Sequence, residues 1–151
     1  MIYNRPVLIC DVDGTLMDNT HRSHFLEQKS PDWQSFNDHM DRDVPIMSVV
    51  NVVRILALRY YLVICTGRMD NKEEITRHQL QHADIEFKKL MMRKTGDYRS
   101  DVIVKLEMLN QLHRLNLIDT DTAIVFDDRT KVVEMWRSQG LRTFQVAQHD
   151  F

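Results

Sequence analysis

Short apolar runs alternate along this chain with stretches in which apolar residues recur at helical spacing. Five runs have the length of buried strands: residues 7–10, 61–65, 87–92, 123–126 and 143–147. The stretches between them predict helices over residues 46–57, 72–82, 102–112 and 132–137. Because strands and helices alternate, we predict a single α/β domain over residues 1–151, with helices on both faces of a central parallel sheet. In such a sheet, a ligand site lies beyond the carboxyl ends of the strands.

One polar segment, residues 18–44, does not fit this alternation. It contains three of the seven histidines of the chain, together with Trp33 and Phe36. Pro31 is typical of a helix start, and we expect one or two short helices here. Since the segment follows the first strand, we predict a small helical cap inserted there, over the strand ends.

The composition is that of an ordinary globular protein, and it restricts the partners. The chain has 151 residues, a net charge of −2 and a pI of about 6.4. Its slightly acidic balance gives no broad attraction to nucleic acid, so any polynucleotide contact should be short and local. Cys10 and Cys65 each end an apolar run, which predicts buried reduced thiols. The sequence has no signal-peptide pattern and no apolar stretch of membrane length, which predicts a cytoplasmic protein without membrane contact.

Two carboxylates separated by one residue follow the first predicted strand. They are Asp11 and Asp13, and Gly14 comes directly after them. On an extended segment such side chains point in similar directions. One carboxylate can then attack a phosphorus atom while the other transfers the proton of the leaving group. A plain turn and a calcium-binding loop are the alternatives, but an EF-hand loop needs a third ligand before its glycine, and Gly14 comes too early for that.

Further polar groups stand near the ends of other strands and at a helix start. Thr66-Gly67-Arg68 follows the second strand, predicts a turn, and supplies a hydroxyl, a flexible backbone and a guanidinium for phosphate oxygens. Lys105 lies near the start of the third predicted helix, where a solvated surface charge is the ordinary alternative. Asp127 and Asp128 follow the fourth strand and suit a hard cation or, equally, a helix cap. Together these groups predict phosphoryl transfer, which requires a nucleophile, positive charge around the phosphate oxygens and a metal ion.

These motifs resemble the four signature motifs of the haloacid dehalogenase phosphatases. Asp-x-Asp-Gly-Thr, an apolar strand ending in threonine, a lysine and a pair of aspartates occur in the same order. The chain resembles still more closely the phosphatase domain of phage-type polynucleotide kinase–phosphatases, over nearly its whole length and most specifically in its last third. This second resemblance is carried by Arg22, Arg93, Gly96, Asp97, Arg99, Asp101, Lys105, residues 127–130 and 132–137, Gly140, residues 145–147, Asp150 and Phe151.

The resemblance implies the haloacid dehalogenase fold, a Rossmann-like three-layer sandwich, and the phosphatase mechanism of that superfamily. Asp11 would attack the phosphorus and form an aspartyl-phosphate. Asp13 would protonate the leaving group and then deprotonate the water that hydrolyses the intermediate. Thr66 and Lys105 would contact the non-bridging phosphate oxygens.

The resemblance also implies Mg²⁺ as the cofactor. Its ligands would be Asp11, the backbone carbonyl of Asp13, and Asp127. Asp128 would either contact the metal through water or orient Lys105.

Five residues are candidates for contacts with the substrate: Gly67, Arg68, Arg22, Arg93 and Asp101. The three arginines could bind a second phosphate or the leaving group, and a plain surface arginine is the alternative for Arg22 and Arg93. Asp101 could orient these arginines or cap the helix that carries Lys105.

Two departures from the bifunctional members of that family bear on function. The chain has four glycines and none is followed by lysine, so it contains no kinase-type phosphate-binding loop, and we predict no kinase activity for it. Residues 18–44 do not look like the corresponding segment of that family, and caps select substrates.

Three functions therefore stand as hypotheses. The first is a polynucleotide 3′-phosphatase that acts on phosphorylated DNA or RNA ends. The second is a phosphatase of free nucleotides or another small phosphate ester. The third is a non-catalytic phosphate-binding or scaffolding module, although the intact set of motif residues argues against it. The sequence gives no prediction of oligomeric state.

Overall fold

The computed structural model describes residues 4–150. The strands are β1 (Val7–Cys10), β2 (Met17–Asp18), β3 (Val44–Pro45), β4 (Tyr61–Met69), β5 (Lys89–Arg93), β6 (Ile124–Arg129) and β7 (Arg142–His149). The α-helices are α1 (Thr20–Ser23), α2 (Trp33–Asp38), α3 (Met47–Leu56), α4 (Glu73–His82), α5 (Asp101–Arg114) and α6 (Thr130–Ser138). Short 3₁₀ helices cover Met40–Arg42 and Asp70–Lys72. Within this part of the chain, no helix combines the length and apolar character needed to cross a membrane.

Five strands form one parallel sheet in the order β5-β4-β1-β6-β7. The predicted α/β class and parallel sheet are confirmed. From β1 the chain adds β4 and β5 on one side and later β6 and β7 on the other, so the strand order reverses at β1. The carboxyl ends of β4, β1 and β6 therefore lie side by side at a topological switch point, where α/β proteins bind ligands.

Two apolar cores, one on each face of the sheet, explain the three layers. Alternate residues of the inner strands point to opposite faces, as Ile9 and Leu8 of β1 do. The first core contains α5 and α6, with Trp136 fully buried, and the second contains α3 and α4. Cys10 and Cys65 are buried free thiols, and burial raises the pKa of Cys65 to about 12.

The strands β4, β5, β6 and β7 all end later than the apolar runs predicted, and in β4 and β6 the added residues include candidate site residues. The prediction of a turn at Thr66-Gly67-Arg68 was wrong, because β4 continues through these residues to Met69, which pairs with Arg93 of β5. Asp127 and Asp128 likewise lie inside β6 and not after it. In both strands the register shifts near the end, between Thr66 and Met69 and between Asp127 and Arg129. Such irregularities bend a strand and redirect its side chains.

Residues 18–44 form a separate unit whose two ends pair with each other, outside the five-stranded sheet. The short strands β2 and β3 pair antiparallel, and α1, α2 and the first 3₁₀ helix lie between them. The short helices were expected, and Pro31 stands two residues before α2 begins. The strand pair was not predicted, since each of its strands has only two residues. The action of this segment as a cap stays a prediction.

Candidate active site

Asp11, Thr66, Asp127 and Asp128 meet at the switch point because their strands are neighbours. Cys10, the last residue of β1, is paired with β4 on one side and with Phe126 of β6 on the other. The backbone N–H of Asp11 donates to the carbonyl of Phe126 at 3.0 Å. All four of these polar residues are buried. Buried acidic and polar side chains are uncommon, and a cluster of them is typical of a functional site.

Lys105 supplies the positive charge at the centre of this group. It lies in the second turn of α5, and its Nζ donates to Asp11 Oδ1 at 2.9 Å and to Asp127 Oδ2 at 2.8 Å. Burial alone would lower the pKa of Lys105, but Asp11 and Asp127 raise it well above its usual value. The lysine is therefore charged and buried, and the alternative of a solvated surface lysine is wrong.

The Asp11 carboxyl lies in a region of excess negative charge. Burial is the main cause that raises its pKa; Lys105 opposes this effect, and Asp127 and Asp128 add to it. Thr15 Oγ1 lies 3.3 Å from Asp11 Oδ2 and 3.2 Å from Asp128 Oδ1, so one hydroxyl proton is shared between two carboxylates. Three buried carboxylates with one lysine leave negative charge that a cation would offset.

The same carboxylates have the composition of a site for a hard divalent cation. One oxygen each from Asp11, Asp127 and Asp128 lies within 4.8 Å of the other two. Carboxylate oxygens are the ligands that Mg²⁺ uses in proteins. The residues therefore fit a metal ion. Lys105 contacts Asp127 and not Asp128, so the alternative in which Asp128 orients Lys105 is not what the structure shows.

Asp13 is enclosed by two arginines. Arg68 Nη2 donates to Asp13 Oδ1 at 2.7 Å and Arg22 Nη2 donates to the same oxygen at 3.0 Å. Burial alone would raise the pKa of Asp13, but Arg68 and then Arg22 outweigh it and lower the pKa. Because its pKa is lowered, the carboxyl is ionised. Its side chain is 24% exposed and is therefore accessible from outside the site.

Arg22 and Arg68 are themselves anchored by a second carboxylate, Asp43. Asp43 accepts from Arg22 Nε at 2.7 Å and from Arg68 Nη2 at 3.0 Å, and all three side chains are buried. Arg22 is therefore not a surface arginine; its guanidinium also lies over the ring of Phe36. Asp43 and Arg22 come from residues 18–44, so this segment reaches the acidic pair of the first motif. A contact of either arginine with a phosphate stays a prediction.

Arg93 and Asp101 form a second polar group beside Gly67. Arg93 donates to the carbonyl of Gly67 at 2.8 Å and contacts the Asp101 carboxylate, which also accepts from Arg129 Nη1 at 2.5 Å. Asp101 thus lies between two arginines and is the first residue of α5, whose cap residue is Ser100. Arg93 is buried and is not a surface arginine, and its role toward a substrate stays a prediction.

Sequence reasoning missed several residues that touch the site. No role was assigned to Thr15 from the sequence, although its position in the first motif, directly after Gly14, could have indicated one. Trp136 is buried in the first apolar core, and its Nε1 also donates to Asp127 Oδ2 at 3.1 Å. The contact of His149 Nδ1 with Asp128 Oδ2 had no signal in the sequence, because it depends on the length of β7. Asp43 was one of many acidic residues in a polar segment.

Comparisons with known proteins agree with this geometry. Residues 5–151 match the family described as the phosphatase domain of the polynucleotide kinase PNKP. A protein of Autographa californica nuclear polyhedrosis virus, named as a bifunctional polynucleotide kinase/RNA ligase, is 31% identical over 141 residues, which are 90% of this chain and 18% of that protein. The chain thus spans less than a fifth of this viral relative.

Solved structures give the same result. A chain of the Pnkp1/Rnl/Hen1 RNA repair complex is 32% identical, with a TM-score of 0.74, over 97% of this chain and 44% of that chain. A haloacid dehalogenase-like hydrolase from Streptococcus pneumoniae is 16% identical, with a TM-score of 0.66, over 93% of this chain and 84% of that one, and it shows the fold alone. The chain therefore belongs to the PNKP phosphatase-domain family of the haloacid dehalogenase superfamily, and it is a phosphoric monoester hydrolase.

Proposed function

We propose that this chain is a Mg²⁺-dependent phosphatase that acts through an aspartyl-phosphate on Asp11, and that it removes 3′-phosphates from DNA or RNA ends. The observation that carries the proposal is the buried contact of Lys105 with both Asp11 and Asp127 beside Asp128. A carboxylate nucleophile, a buried cation and a cation-binding set of oxygens are the groups that phosphoryl transfer requires.

The chemistry divides between the two carboxylates of the first motif. Asp11 attacks the phosphorus, because it is buried beside Lys105, whose charge stabilises the phosphate oxygens. Thr66, which is also buried, lies at the same strand ends and contacts a further phosphate oxygen. When bound to Asp11, Asp127 and Asp128, Mg²⁺ supplies positive charge that offsets the repulsion between nucleophile and phosphate.

Asp13 transfers the protons in both steps of the proposed reaction. As an ionised carboxylate it accepts the proton of the water that hydrolyses the aspartyl-phosphate. To protonate the leaving group in the first step, it must gain a proton. An entering phosphate competes with Asp13 for the guanidiniums of Arg68 and Arg22 and so weakens the interactions that lower its pKa.

The choice of a polynucleotide end as substrate rests on the family match and on the relatives named for polynucleotide kinase and RNA repair. Residues 18–44 act in this proposal as a cap that leaves the site open to a strand. We also retain a cytoplasmic location as a prediction. A phosphatase of free nucleotides is the competing outcome, because the net charge of −2 offers no broad attraction to nucleic acid.

The test is phosphate release in Mg²⁺ from a 3′-phosphorylated oligonucleotide and from free 3′- and 5′-nucleoside monophosphates. The wild type is compared with Asp11→Asn and with Asp121→Asn, an exposed carboxylate outside the site, as the matched control. We expect preference for the oligonucleotide, loss of release in Asp11→Asn and retention in Asp121→Asn. A preference for free nucleotides would refute the polynucleotide substrate, and substantial release by Asp11→Asn would refute the mechanism.

A further inference from the structure

His149 approaches the acidic group from the last strand of the sheet. It is the final residue of β7, where the register places it beside Arg129 of β6, past the irregularity that follows Asp127. Its Nδ1 contacts Asp128 Oδ2, and its own side chain is 36% exposed while that of Asp128 is 1% exposed. With a proton on Nδ1, the imidazole donates this hydrogen bond to the carboxylate. The histidine therefore links a buried carboxylate to the outer edge of the site.

The two oxygens of Asp128 have different partners from different parts of the chain. Oδ1 lies 3.2 Å from Thr15 Oγ1, in the loop after β1, and Oδ2 contacts His149. Lys105 contacts Asp11 and Asp127 and not Asp128, so Thr15 and His149 are the side chains that hydrogen-bond to the Asp128 carboxylate. The orientation of the Asp128 carboxylate thus depends on Thr15 and His149.

Gly14 makes room for this arrangement. A Cβ at residue 14 would collide with Asp128 Oδ2 and would lie 3.1 Å from His149 Nδ1. The backbone there has φ +79°, a conformation that favours glycine. The contact between His149 and Asp128 therefore occupies a space that the first motif leaves open, and it is built into the geometry of the site.

We propose that His149 is a positioning residue that orients the Asp128 carboxylate toward the bound cation and thereby sets the affinity for Mg²⁺. This inference rests on the metal dependence in the proposed function. Hydrogen-bond partners of metal-binding side chains fix the direction of the ligand atom, and their loss typically weakens metal binding by about 10–100-fold. His149 acts through Asp128 and does not itself take part in the chemical step.

Three substitutions separate this role from simple packing at the end of β7. His149→Asn places an amide N–H near the position of Nδ1 and retains the donor. His149→Gln places its amide nearer the position of Nε2, and His149→Ala removes the donor altogether. His113→Ala, at an exposed position near the end of α5, is the matched control.

The experiment is titration calorimetry of Mg²⁺ into each purified protein, together with kcat on the preferred phosphate ester at saturating Mg²⁺. We expect the Kd for Mg²⁺ to rise about 10–100-fold in His149→Ala and His149→Gln and to stay within about threefold of the wild type in His149→Asn and His113→Ala. We expect kcat at saturating Mg²⁺ to change little in comparison.

Four other outcomes would each contradict either the role of His149 or the metal dependence. An unchanged Kd in His149→Ala would overturn the inference while the proposed function stands. An equal rise in His149→Asn and His149→Ala would show that bulk and not the donor matters, and would overturn it as well. A fall in kcat at unchanged Kd would place His149 in the chemical step. A wild type that binds no Mg²⁺ would instead refute the metal dependence itself.

Discussion

Gly67 and Asp101 are so close that a Cβ on residue 67 would lie 2.5 Å from Asp101 Oδ1. Asp101 cannot withdraw easily, because Arg93 and Arg129 contact its two oxygens. We predict that Gly67→Ala lowers the free energy of unfolding by about 1–3 kcal/mol, the usual cost of overpacking. Urea unfolding gives this value. In an Asp101→Ala background the same substitution should cost much less, and an equal cost in both backgrounds would contradict the steric account.

Ionisation of Asp101 should make the free energy of unfolding depend on pH. Burial alone would raise its pKa, but Lys105, Arg129 and Arg93 outweigh this and lower it. A lowered pKa means that the unfolded chain binds the proton first, so Asp101 stabilises the fold above pH about 4 and this contribution is lost as the pH falls further. We predict that the difference in unfolding free energy between wild type and Asp101→Asn is constant from pH 6 to about pH 5 and shrinks as the pH falls through about 4 and below. A difference that grows on acidification would contradict the assignment.

Mg²⁺ should stabilise the folded protein through the acidic group. A ligand that binds only the folded state adds about 2.7 kcal/mol at 100 times its Kd. We predict that Mg²⁺ raises the thermal midpoint of the wild type and of Asp121→Asn, whose substituted residue is exposed. Asp127→Asn should lose most of the increase, because Asp127 is one of the three clustered carboxylates. An undiminished increase in Asp127→Asn would place the cation elsewhere.

The indole N–H of Trp136 should add to the free energy of unfolding, beyond the contribution of the ring volume. Its Nε1 donates to Asp127 Oδ2, and hydrogen bonds to charged groups contribute about 1.5–3 kcal/mol. We therefore predict that Trp136→Phe lowers the free energy of unfolding by at least this amount. Trp33→Phe is the control, since Trp33 is 60% exposed and its replacement should cost less than about 0.5 kcal/mol. Equal effects of the two substitutions in urea unfolding would contradict the role of the indole N–H.

The strands, the parallel sheet and the order of the motif residues could be predicted from the sequence because they depend on local pattern. Apolar runs mark buried strands, and the carboxyl ends of parallel strands must lie on one edge. The continuation of β4 through Thr66 and of β6 through Asp127 could not be predicted. It depends on how far the neighbouring strands β5 and β7 extend beside them.

The partners of the charged side chains also could not be predicted from the sequence. Arg22 and Asp43 are 21 residues apart, and their contact depends on the path of residues 18–44. His149 reaches Asp128 only because β7 runs on to the end of the sheet. Charge–charge contacts of this kind are set by tertiary packing and leave no periodic signal.

The central claim is that Asp11 is phosphorylated during turnover, and rapid quenching tests it most directly. The wild type is mixed with an oligonucleotide that carries a radiolabelled 3′-phosphate in Mg²⁺ and is quenched in acid within milliseconds. We predict a protein-bound label that hydroxylamine releases, as expected of an acyl phosphate, and no label on Asp11→Asn. Phosphate release by the wild type without any protein-bound label, or a label on Asp11→Asn, would contradict it.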